Sequence, residues 1–322
     1  MKTILNKCLI LAFNEEKNIK KTVDEILDYF DEIIIVNDKS KDSTNFILEE
    51  LKSENKKIVV LENKKNFGAG KSMLIGIEEA NKTPYNFLVK IDGDNQFEKN
   101  DIKELLRLAK KNNADFIKCD RFWENGIHGD IPKIRYLGNS FASLLIKLLT
   151  GNPNINDPLN GLFLFSEKMA KKVTIPKLFY RYGYPFFINT NVHYLNIGSD
   201  LKLFQFRNKI KYGNENSNLN PINVFLKLMF FTISYFLKII KKKLRFSTHQ
   251  LSAIVDIAAV SSLLFSIISL YMVINTRYFG YSGNQGAWAM LFVIFLINSL
   301  LLLSRSHKII KSKSVEDFIY LN

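Results

Sequence analysis

The chain of 322 residues contains only two cysteines and four histidines. Two cysteines, Cys8 and Cys119, cannot form a disulfide framework, so we expect each to be a small buried hydrophobic residue in a reducing compartment. The histidines are widely scattered and lack the spacing of zinc ligands. A disulfide-stabilised scaffold and a histidine-based metal centre are therefore not expected. A hydrophobic content of 47% with 26 phenylalanines also excludes a disordered chain.

The chain also lacks a glycine-rich phosphate loop where the common nucleotide-binding folds carry one. The first strand-to-helix turn has Glu15 and Glu16 instead of glycines, and two glutamates would repel a diphosphate, which argues against a dinucleotide site of the NAD type. We expect Asn14 to cap the helix that follows. Gly70-Lys71-Ser72 is not a Walker motif, since residue 65 is lysine where the motif requires glycine.

Acidic residues are scarce in the last third of the sequence. Residues 201–322 hold 15 Lys and Arg against 4 Asp and Glu, so most of the net charge of +14 lies there. A nucleic-acid-binding protein is expected to carry its basic patch on the folded domain. Here the excess flanks apolar segments, which favours anionic lipid headgroups and argues against nucleic acid.

The first 120 residues alternate between strand-like and helical patterns. The strand-like runs cover residues 7–12, 32–37, 57–61, 87–91 and 115–119, with helical spacing of apolar residues between them. This alternation predicts an α/β fold with a mostly parallel sheet covered by helices on both faces. We assign residues 1–220 to this domain, including a less regular, substrate-facing half from residue 121.

The remaining residues are apolar in three stretches. Residues 222–240 carry two lysines and predict an amphipathic helix in the membrane interface, within a juxtamembrane segment 221–250; a third span is the alternative. Residues 253–274 and 287–303 are predicted to cross the membrane within 251–322. Basic clusters precede the first span and follow the second. The positive-inside rule then predicts that the soluble domain and both termini lie in the cytoplasm, in a multi-pass inner-membrane protein with a basic cytoplasmic tail.

Carboxylates follow two of the predicted strands. Asp92-Gly-Asp94 ends the apolar run of residues 87–91, at the edge where open α/β sheets bind ligands. Two hard oxygen ligands there suit a divalent metal that carries a phosphorylated substrate. Asp38 follows the second strand and is placed to accept a hydrogen bond from a ribose or a base.

Four segments with ordered spacing carry a family resemblance. They are Leu11-Ala-Phe-Asn14-Glu15-Glu16, Val36-Asn-Asp38-Lys-Ser40-Lys-Asp42-Ser-Thr44, Asn66-Phe-Gly68-Ala-Gly70-Lys71 and Asp92-Gly-Asp94-Asn-Gln96. Taken in this order, they resemble family 2 glycosyltransferases of the GT-A fold. Within that family the chain is similar to the polyprenyl-phosphate glycosyltransferases. The resemblance covers roughly residues 5–220 and implies a GT-A, Rossmann-like catalytic domain followed by a helical membrane hairpin.

The resemblance also implies residue roles. It assigns donor binding to Glu15, Asp38, Asp92, Asn160 and Gly161, metal binding to Asp92, Asp94 and Gln96, acceptor-phosphate binding to Arg121, Arg135 and Asn139, and catalytic roles to Asp94, Asp157 and Arg207. Arg207, Tyr212 and Ser217 resemble a closing loop that contacts the diphosphate. Trp123 and Phe122 are expected at the membrane surface. The chain departs from the family pattern at Lys39, Phe163 and Phe13.

The expected activity is transfer of a sugar from a nucleotide-sugar to polyprenyl phosphate, with inversion and with Mg²⁺ or Mn²⁺. A lipid phosphate is already ionised, so no strong general base is needed. Two alternatives stay open: a family 2 enzyme that glycosylates a hydroxyl of a lipid-linked or cell-surface glycan with Asp157 as base, and a catalytically silent membrane scaffold. The sequence also leaves open a homo-oligomer.

Overall fold

The computed structural model describes residues 5–122, 133–209, 221–280, 283–311 and 318–321. One sheet of eight strands lies at its centre. The strands are β1 Asn6–Ala12, β2 Glu32–Asn37, β3 Ile58–Glu62, β4 Phe87–Asp92, β5 Phe116–Asp120, β6 Phe163–Ser166, β7 Leu203–Arg207 and β8 Ile319–Leu321. The first five match the runs predicted from the sequence to within two residues at each end.

The strands are arranged in the order β3-β2-β1-β4-β6-β5-β7-β8. Only β6 runs antiparallel to its neighbours, β4 and β5, and the other paired strands are parallel. The predicted mostly parallel α/β sheet is confirmed. The carboxyl ends of seven strands therefore meet at one edge, and the start of β6 joins them there.

Ten α-helices lie within the described residues. They are α1 Ile19–Ile26, α2 Thr44–Glu54, α3 Ala69–Ala80, α4 Lys99–Asn112, α5 Lys133–Thr150, α6 Glu167–Ala170, α7 Tyr184–Asn196, α8 Pro221–Arg245, α9 Gln250–Tyr278 and α10 Gln285–Lys311. Helices α1 to α8 cover the two faces of the sheet, and a hydrophobic core lies on each face. Strands buried on both faces read as continuous apolar runs, as Ile33, Ile34 and Ile35 of β2 do with no exposed surface.

Helix α8 is amphipathic and packs along the core beside α5 and α7. Its inner face contributes Leu228, Phe231 and Tyr235 to the core cluster, all less than a tenth exposed. Its outer face shows Phe230 at 72% and Leu237 at 62% exposure. An apolar outer face on a helix that already fills a core requires a second apolar environment.

Helices α9 and α10 form an antiparallel pair, each long and apolar enough to cross a membrane. Few residues of the pair are buried inside the protein, which separates these helices from core helices of the domain. At the start of the pair Lys243 Nζ of α8 lies 2.6 Å from Asp256 Oδ2 of α9, and both side chains are almost fully buried. The single charge of the first apolar stretch is therefore paired, as a buried charge must be.

Strand β8 follows the helical pair in the chain and returns to the sheet. Ile319 and Tyr320 pair in parallel register with Phe204 and Gln205 of β7. The sequence predicts a basic tail after the second apolar stretch; the structure instead places residues 319–321 at the end of the sheet. A run of three residues is too short to give a strand pattern, so pairing with β7 determines its conformation.

Candidate functional site

Strand β4 carries the acidic pair to the edge of the sheet where the order of the strands reverses. Chain order runs from β1 to β3 in one direction, and β4 lies on the other side of β1. Such a switch point leaves a crevice at the carboxyl ends of the strands. Asp92 ends β4, and Asp94 Oδ1 accepts a hydrogen bond from the backbone N–H of Gln96 at 3.2 Å. The predicted acidic motif thus lies at the crevice.

A buried lysine lies beneath this pair. Lys90 has no exposed surface, and its Nζ is 2.5 Å from Asp92 Oδ1. Burial alone would lower the pKa of Lys90, but Asp92, with Tyr184, outweighs that effect and raises the pKa above its usual value. Burial and Asp92 also raise the pKa of Tyr184 to about 12. Lys90 is therefore a fixed cation under the acidic motif, and sequence reasoning missed it.

Gly161 packs directly against this lysine–aspartate pair. A Cβ atom at this position would lie 2.7 Å from Asp92 Oδ2 and 3.0 Å from Lys90 Nζ. A side chain at position 161 would displace the Asp92 carboxylate from this position, so glycine keeps the acidic motif in place. The structure thus brings two predicted donor-site residues, Asp92 and Gly161, into contact.

Asp38 is almost fully buried, and both of its carboxylate oxygens accept hydrogen bonds from the protein. The backbone N–H of Phe67 donates to Oδ1 at 2.8 Å, and that of Gly68 donates to Oδ2 at 2.7 Å. Asp38 therefore holds the turn that opens α3. That turn requires glycine, since Gly68 has φ +93° and its missing Cβ would lie 2.5 Å from a backbone oxygen. Its predicted contact with the nucleoside stays a prediction.

The turn that follows β1 is hydrogen-bonded to the turn that follows β2. Glu15 is half-buried, and its backbone N–H donates to Thr44 Oγ1 at 2.8 Å. The prediction that Asn14 caps α1 is wrong: the capping position is Asn18, and Asn14 has φ +58° with its Oδ1 accepting from the N–H of Lys41 at 2.8 Å. Asparagine tolerates this left-handed conformation. Asn14 therefore contacts the turn that contains Lys41 and does not begin a helix.

Arg121 and Asp157 form a bidentate ion pair. Arg121 Nε and Nη2 each lie 2.7 Å from a carboxylate oxygen of Asp157, and the Arg121 backbone N–H donates to the same carboxylate at 3.0 Å. Asp157 is fully buried, and the Arg121 side chain is 20% exposed. Asp157 also has φ +45°, an uncommon backbone conformation that surrounding contacts must maintain. The bidentate geometry fixes the guanidinium plane.

A second lysine lies beneath Arg121, on β5. Lys118 is fully buried and donates to the carbonyl oxygens of Cys119 and Asn156. Burial lowers the pKa of Lys118, although Asp157 and Asp120 oppose that shift. Lys90 and Lys118 each precede an aspartate by two residues and pair in register with opposite sides of Phe163. The repeated Lys-x-Asp ending is visible in the sequence and could have identified both lysines.

The start of helix α5 lies beside Arg121. The rings of Phe122 and Tyr136 meet edge to face at 5.8 Å between centroids, and the Arg121 guanidinium lies 5.6 Å from the Phe122 ring. Asn139, one helical turn after Tyr136, is 6% exposed with its Oδ1 unpartnered. Arg135 belongs to α5, but its side chain is not among those described.

Other predicted residues lie further along the edge. Asn160 Nδ2 donates to Asn208 Oδ1 at 3.1 Å, which joins the turn before β6 to the end of β7. Arg207 ends β7, three strands away from β4 on the far side of β6 and β5, and its guanidinium lies 4.8 Å from the centre of the Tyr320 ring. The topology therefore groups Arg207 with Arg121 more closely than with the acidic pair. Trp123, Tyr212 and Ser217 lie outside the described residues.

The donor set at β4 fits a divalent cation that brings its own phosphate ligands. Among the described residues no cluster of three His, Cys, Asp or Glu could enclose a metal on its own. Mg²⁺ is commonly held by one or two carboxylates together with substrate phosphates and water. Asp92 and Asp94 supply such carboxylates, and the Asp92 side chain is 45% exposed. The side chain of Gln96 is partly exposed next to them.

Comparison with protein families gives one match over the catalytic half. The family model described as glycosyl transferase family 2 matches residues 8–174. An uncharacterized protein of Methanocaldococcus jannaschii is 35% identical over 142 residues, which cover 44% of this chain and 60% of that protein. The UDP-N-acetylglucosamine–dolichyl-phosphate N-acetylglucosaminyltransferase of Methanococcus voltae is 28% identical over 176 residues, 51% of this chain and 70% of that protein.

A dolichyl-phosphate beta-glucosyltransferase of Trichomonas vaginalis is 27% identical over 178 residues, 51% of this chain and 54% of that protein. The chain thus spans between about half and 70% of the length of these curated relatives. Among solved structures, glucosyl-3-phosphoglycerate synthase from Mycobacterium tuberculosis, in complex with UDP, superimposes with a TM-score of 0.51 at 14% identity over 74% of this chain and 80% of that one. At this identity the likeness concerns the fold alone.

Proposed function

Because the chain belongs to glycosyl transferase family 2, we propose that it transfers a sugar from a nucleotide-sugar to polyprenyl phosphate at the cytoplasmic face of a membrane. The observation that carries the proposal is the position of Arg121: it lies at the catalytic edge, two strands from Asp92, and beside an apolar surface formed by α5 and α8. A guanidinium between a donor site and an apolar surface suits a phosphate on a lipid.

The donor occupies the part of the edge formed by β2, β1 and β4. Glu15 and Asp38 lie nearest the nucleoside, and Asp92 and Asp94 lie nearest the diphosphate. Asp92 and Asp94 would hold a divalent cation, Mg²⁺ or Mn²⁺, which would supply positive charge against the departing diphosphate. Lys90 balances one of the two carboxylates from below, so the site does not present two uncompensated negative charges to an anionic substrate. Gln96, Asn160 and Gly161 complete the donor side.

The acceptor occupies the part formed by β5, β7 and the start of α5. The distance from β4 to β5 is two strand spacings, roughly 10 Å, which leaves room for one sugar between the two phosphates. A phosphate oxygen of the lipid attacks the anomeric carbon from the face opposite the diphosphate. The new carbon–oxygen bond forms as the bond to the nucleoside diphosphate breaks, so the anomeric centre is inverted. Arg121 orients the attacking phosphate, with Arg135 and Asn139 on α5 and Arg207 on β7 adding partners.

The geometry around Asp157 favours this acceptor over a glycan hydroxyl. A hydroxyl acceptor needs a base, and Asp157 is the carboxylate that the alternative mechanism would use. Both of its oxygens are bound to Arg121 at 2.7 Å, and the residue is fully buried. Because both oxygens are engaged by Arg121 inside the protein, neither is placed to reach an acceptor hydroxyl, whereas an ionised lipid phosphate needs no general base. We assign Asp157 to holding Arg121 below the donor sugar.

The apolar surface supports a membrane-bound acceptor. The rings of Phe141 on α5 and Phe225 on α8 stack at 4.3 Å between centroids, so the two helices form one surface. Exposed apolar side chains on it include Leu137, Leu144, Phe230, Ile233 and Leu237. Basic residues at the end of α8 would meet anionic headgroups, and helices α9 and α10 would cross the bilayer as a hairpin.

The decisive experiment is transfer with a defined acceptor. Purified full-length protein is incubated with radiolabelled nucleotide-sugars in turn and with undecaprenyl phosphate in detergent. We expect a labelled lipid with one donor, loss of activity on chelation, and recovery with Mg²⁺ or Mn²⁺. The same lipid without its phosphate is the matched control and should stay unlabelled. Labelling of that alcohol, or of a glycan hydroxyl in the absence of polyprenyl phosphate, would contradict the proposal.

A further inference from the structure

Strand β8 is fixed to the sheet by hydrogen bonds at Phe318, before Tyr320, and by the pairing of Leu321 with Phe206 after it. The backbone N–H of Phe318 donates to the Leu203 carbonyl at 2.8 Å, and Gln205 Nε2 donates to the Phe318 carbonyl at 2.9 Å. Phe318 is fully buried, and Tyr320 lies opposite Gln205 in register. These contacts place Tyr320 at the catalytic edge, on the acceptor side.

Tyr320 contacts the residues around Arg121 at the end of β5 and also Arg207 at the end of β7. Its hydroxyl donates to Asp120 Oδ2 and accepts from Asn156 Nδ2 at 3.0 Å. The other oxygen of Asp120 accepts from the backbone N–H of Phe122 at 2.9 Å, which fixes the turn that carries Arg121. The face of the Tyr320 ring lies 4.8 Å from the Arg207 guanidinium, a cation–π distance.

The Tyr320 hydroxyl is suited to act as a hydrogen-bond donor that keeps its proton. Burial, together with the hydrogen bond to Asp120, raises the pKa of Tyr320 above its usual value, so the hydroxyl keeps its proton throughout the physiological range. The Asp120 carboxylate therefore always has a partner on the side away from the Phe122 amide.

We propose that Tyr320 is a positioning residue for the transfer reaction, which holds the Arg121 turn through Asp120 and holds Arg207 through its ring. The inference rests on the proposed function, because it assumes that these two arginines receive the acceptor phosphate. Tyr320 follows the apolar hairpin in the chain, so the acceptor site is completed only after the segment that would anchor it in the membrane. Acceptor binding then depends on a segment that a catalytic domain ending at residue 220 would lack.

A purely structural role of β8 makes a different prediction. If β8 only covers the edge of β7, the strand and the ring matter but the hydroxyl does not. Tyr320→Phe separates the two roles, since it removes the hydrogen bond to Asp120 and keeps the ring on Arg207. Tyr320→Leu removes both contacts, and Ile319→Ala on the opposite face of the same strand is the control for packing of β8.

Steady-state kinetics of the full-length variants test the inference. We expect Tyr320→Phe to raise the KM for polyprenyl phosphate about tenfold, the size of one hydrogen bond to a charged group, with the KM for the donor unchanged. The melting temperature should fall by a few degrees, because one oxygen of the buried Asp120 carboxylate loses its donor. Tyr320→Leu should lower acceptor use further, and Ile319→Ala should leave both KM values unchanged. Equal increases in the KM values for acceptor and donor would overturn the inference. An unchanged KM for polyprenyl phosphate in Tyr320→Phe would also overturn it.

Hydrogen–deuterium exchange gives a readout that needs no catalysis. The peptide over residues 116–122 should exchange faster in Tyr320→Phe, because the amide of Phe122 loses a fixed acceptor, while a peptide in α1 should not change. Unchanged exchange would overturn the positioning role even if kinetics changed. Should the wild type fail to glycosylate polyprenyl phosphate, the proposed function fails, and exchange still decides whether Tyr320 holds the Arg121 turn.

Discussion

Removing Arg121 is expected to cost far more stability than removing its partner. Arg121→Met leaves the carboxylate of Asp157 fully buried without its cation, whereas Asp157→Asn leaves a guanidinium that is 20% exposed and can turn towards water. An uncompensated buried charge is expensive, and a partly exposed one is not. The asymmetry follows from burial alone and does not depend on the reaction.

The size of the effect can be worked from the geometry. Breaking a buried ion pair by removing one partner costs roughly 3–5 kcal/mol, and the partial exposure of Arg121 places the expected value near the lower end, about 3 kcal/mol. In a domain of this size each kcal/mol lowers the melting temperature by roughly 2–4 °C. Arg121→Met should therefore melt about 6–12 °C below the wild type. The double variant should recover part of the loss, since it buries no unpaired charge.

The two cysteines provide the assay. Cys8 and Cys119 are fully buried, and burial raises the pKa of both thiols well above its usual value, so neither reacts in the folded protein. A thiol-reactive fluorogenic dye in detergent then reports unfolding of the sheet directly. Arg107→Met breaks the exposed pair with Glu104 on α4 and is the control; it should melt close to the wild type.

Three results would refute the reasoning. Equal melting temperatures for Arg121→Met and Asp157→Asn would mean that the difference in burial has no energetic consequence. A loss in the double variant equal to the sum of the two single losses would mean that the residues are not coupled. A control variant that melts as low as Arg121→Met would mean that the dye reports a different event.

Other substitutions test the donor site and the membrane surface. Gly161→Ala should raise the donor KM at least tenfold in steady-state kinetics, because its Cβ would lie 2.7 Å from Asp92 Oδ2. Lys90→Met should lower the Mg²⁺ concentration for half-maximal activity, measured by metal titration, since Asp92 loses its buried cation. Asp94→Asn should reduce transfer by at least about tenfold without lowering the melting temperature. Phe230→Glu should slow transfer to polyprenyl phosphate in vesicles and not to a short, soluble analogue.

The periodic part of the fold is predictable from sequence because its signals are local. The runs that become β1 to β5 are apolar over five to seven residues and are separated by helical spacing, so type and order follow from the pattern. Strand β6 was not predicted, since its four residues give no pattern that distinguishes a strand from a turn. Its antiparallel position between β4 and β5 depends on tertiary packing, which the local sequence does not encode.

The candidate site also has a part that the sequence predicts and a part that it does not. Residues that follow long strands, such as Asp38, Asp92 and Arg121, were selected from position and family resemblance, and the structure places them along one edge. Their partners could not be read from the sequence. Asp157 lies 36 residues from Arg121, and Tyr320 lies 200 residues from Asp120. Such contacts depend on which strands become neighbours in the sheet.

The row of side chains below the edge explains why these distant residues matter together. Pairing in register links Lys90 to Phe163, Phe163 to Lys118, Lys118 to Gln205 and Gln205 to Tyr320 across five strands. On the acceptor side the buried members of this row share partners: Gln205 Oε1 lies 3.5 Å from Lys118 Nζ, and Gln205 Nε2 donates to the Phe318 carbonyl of β8, so a change in one alters the contacts of the next. The two lysines lie beneath the carboxylates that end β4 and β5, which is why a donor site rich in acids and an acceptor site rich in arginines can occupy a single edge. A substitution in this row should therefore change substrate use without touching either substrate.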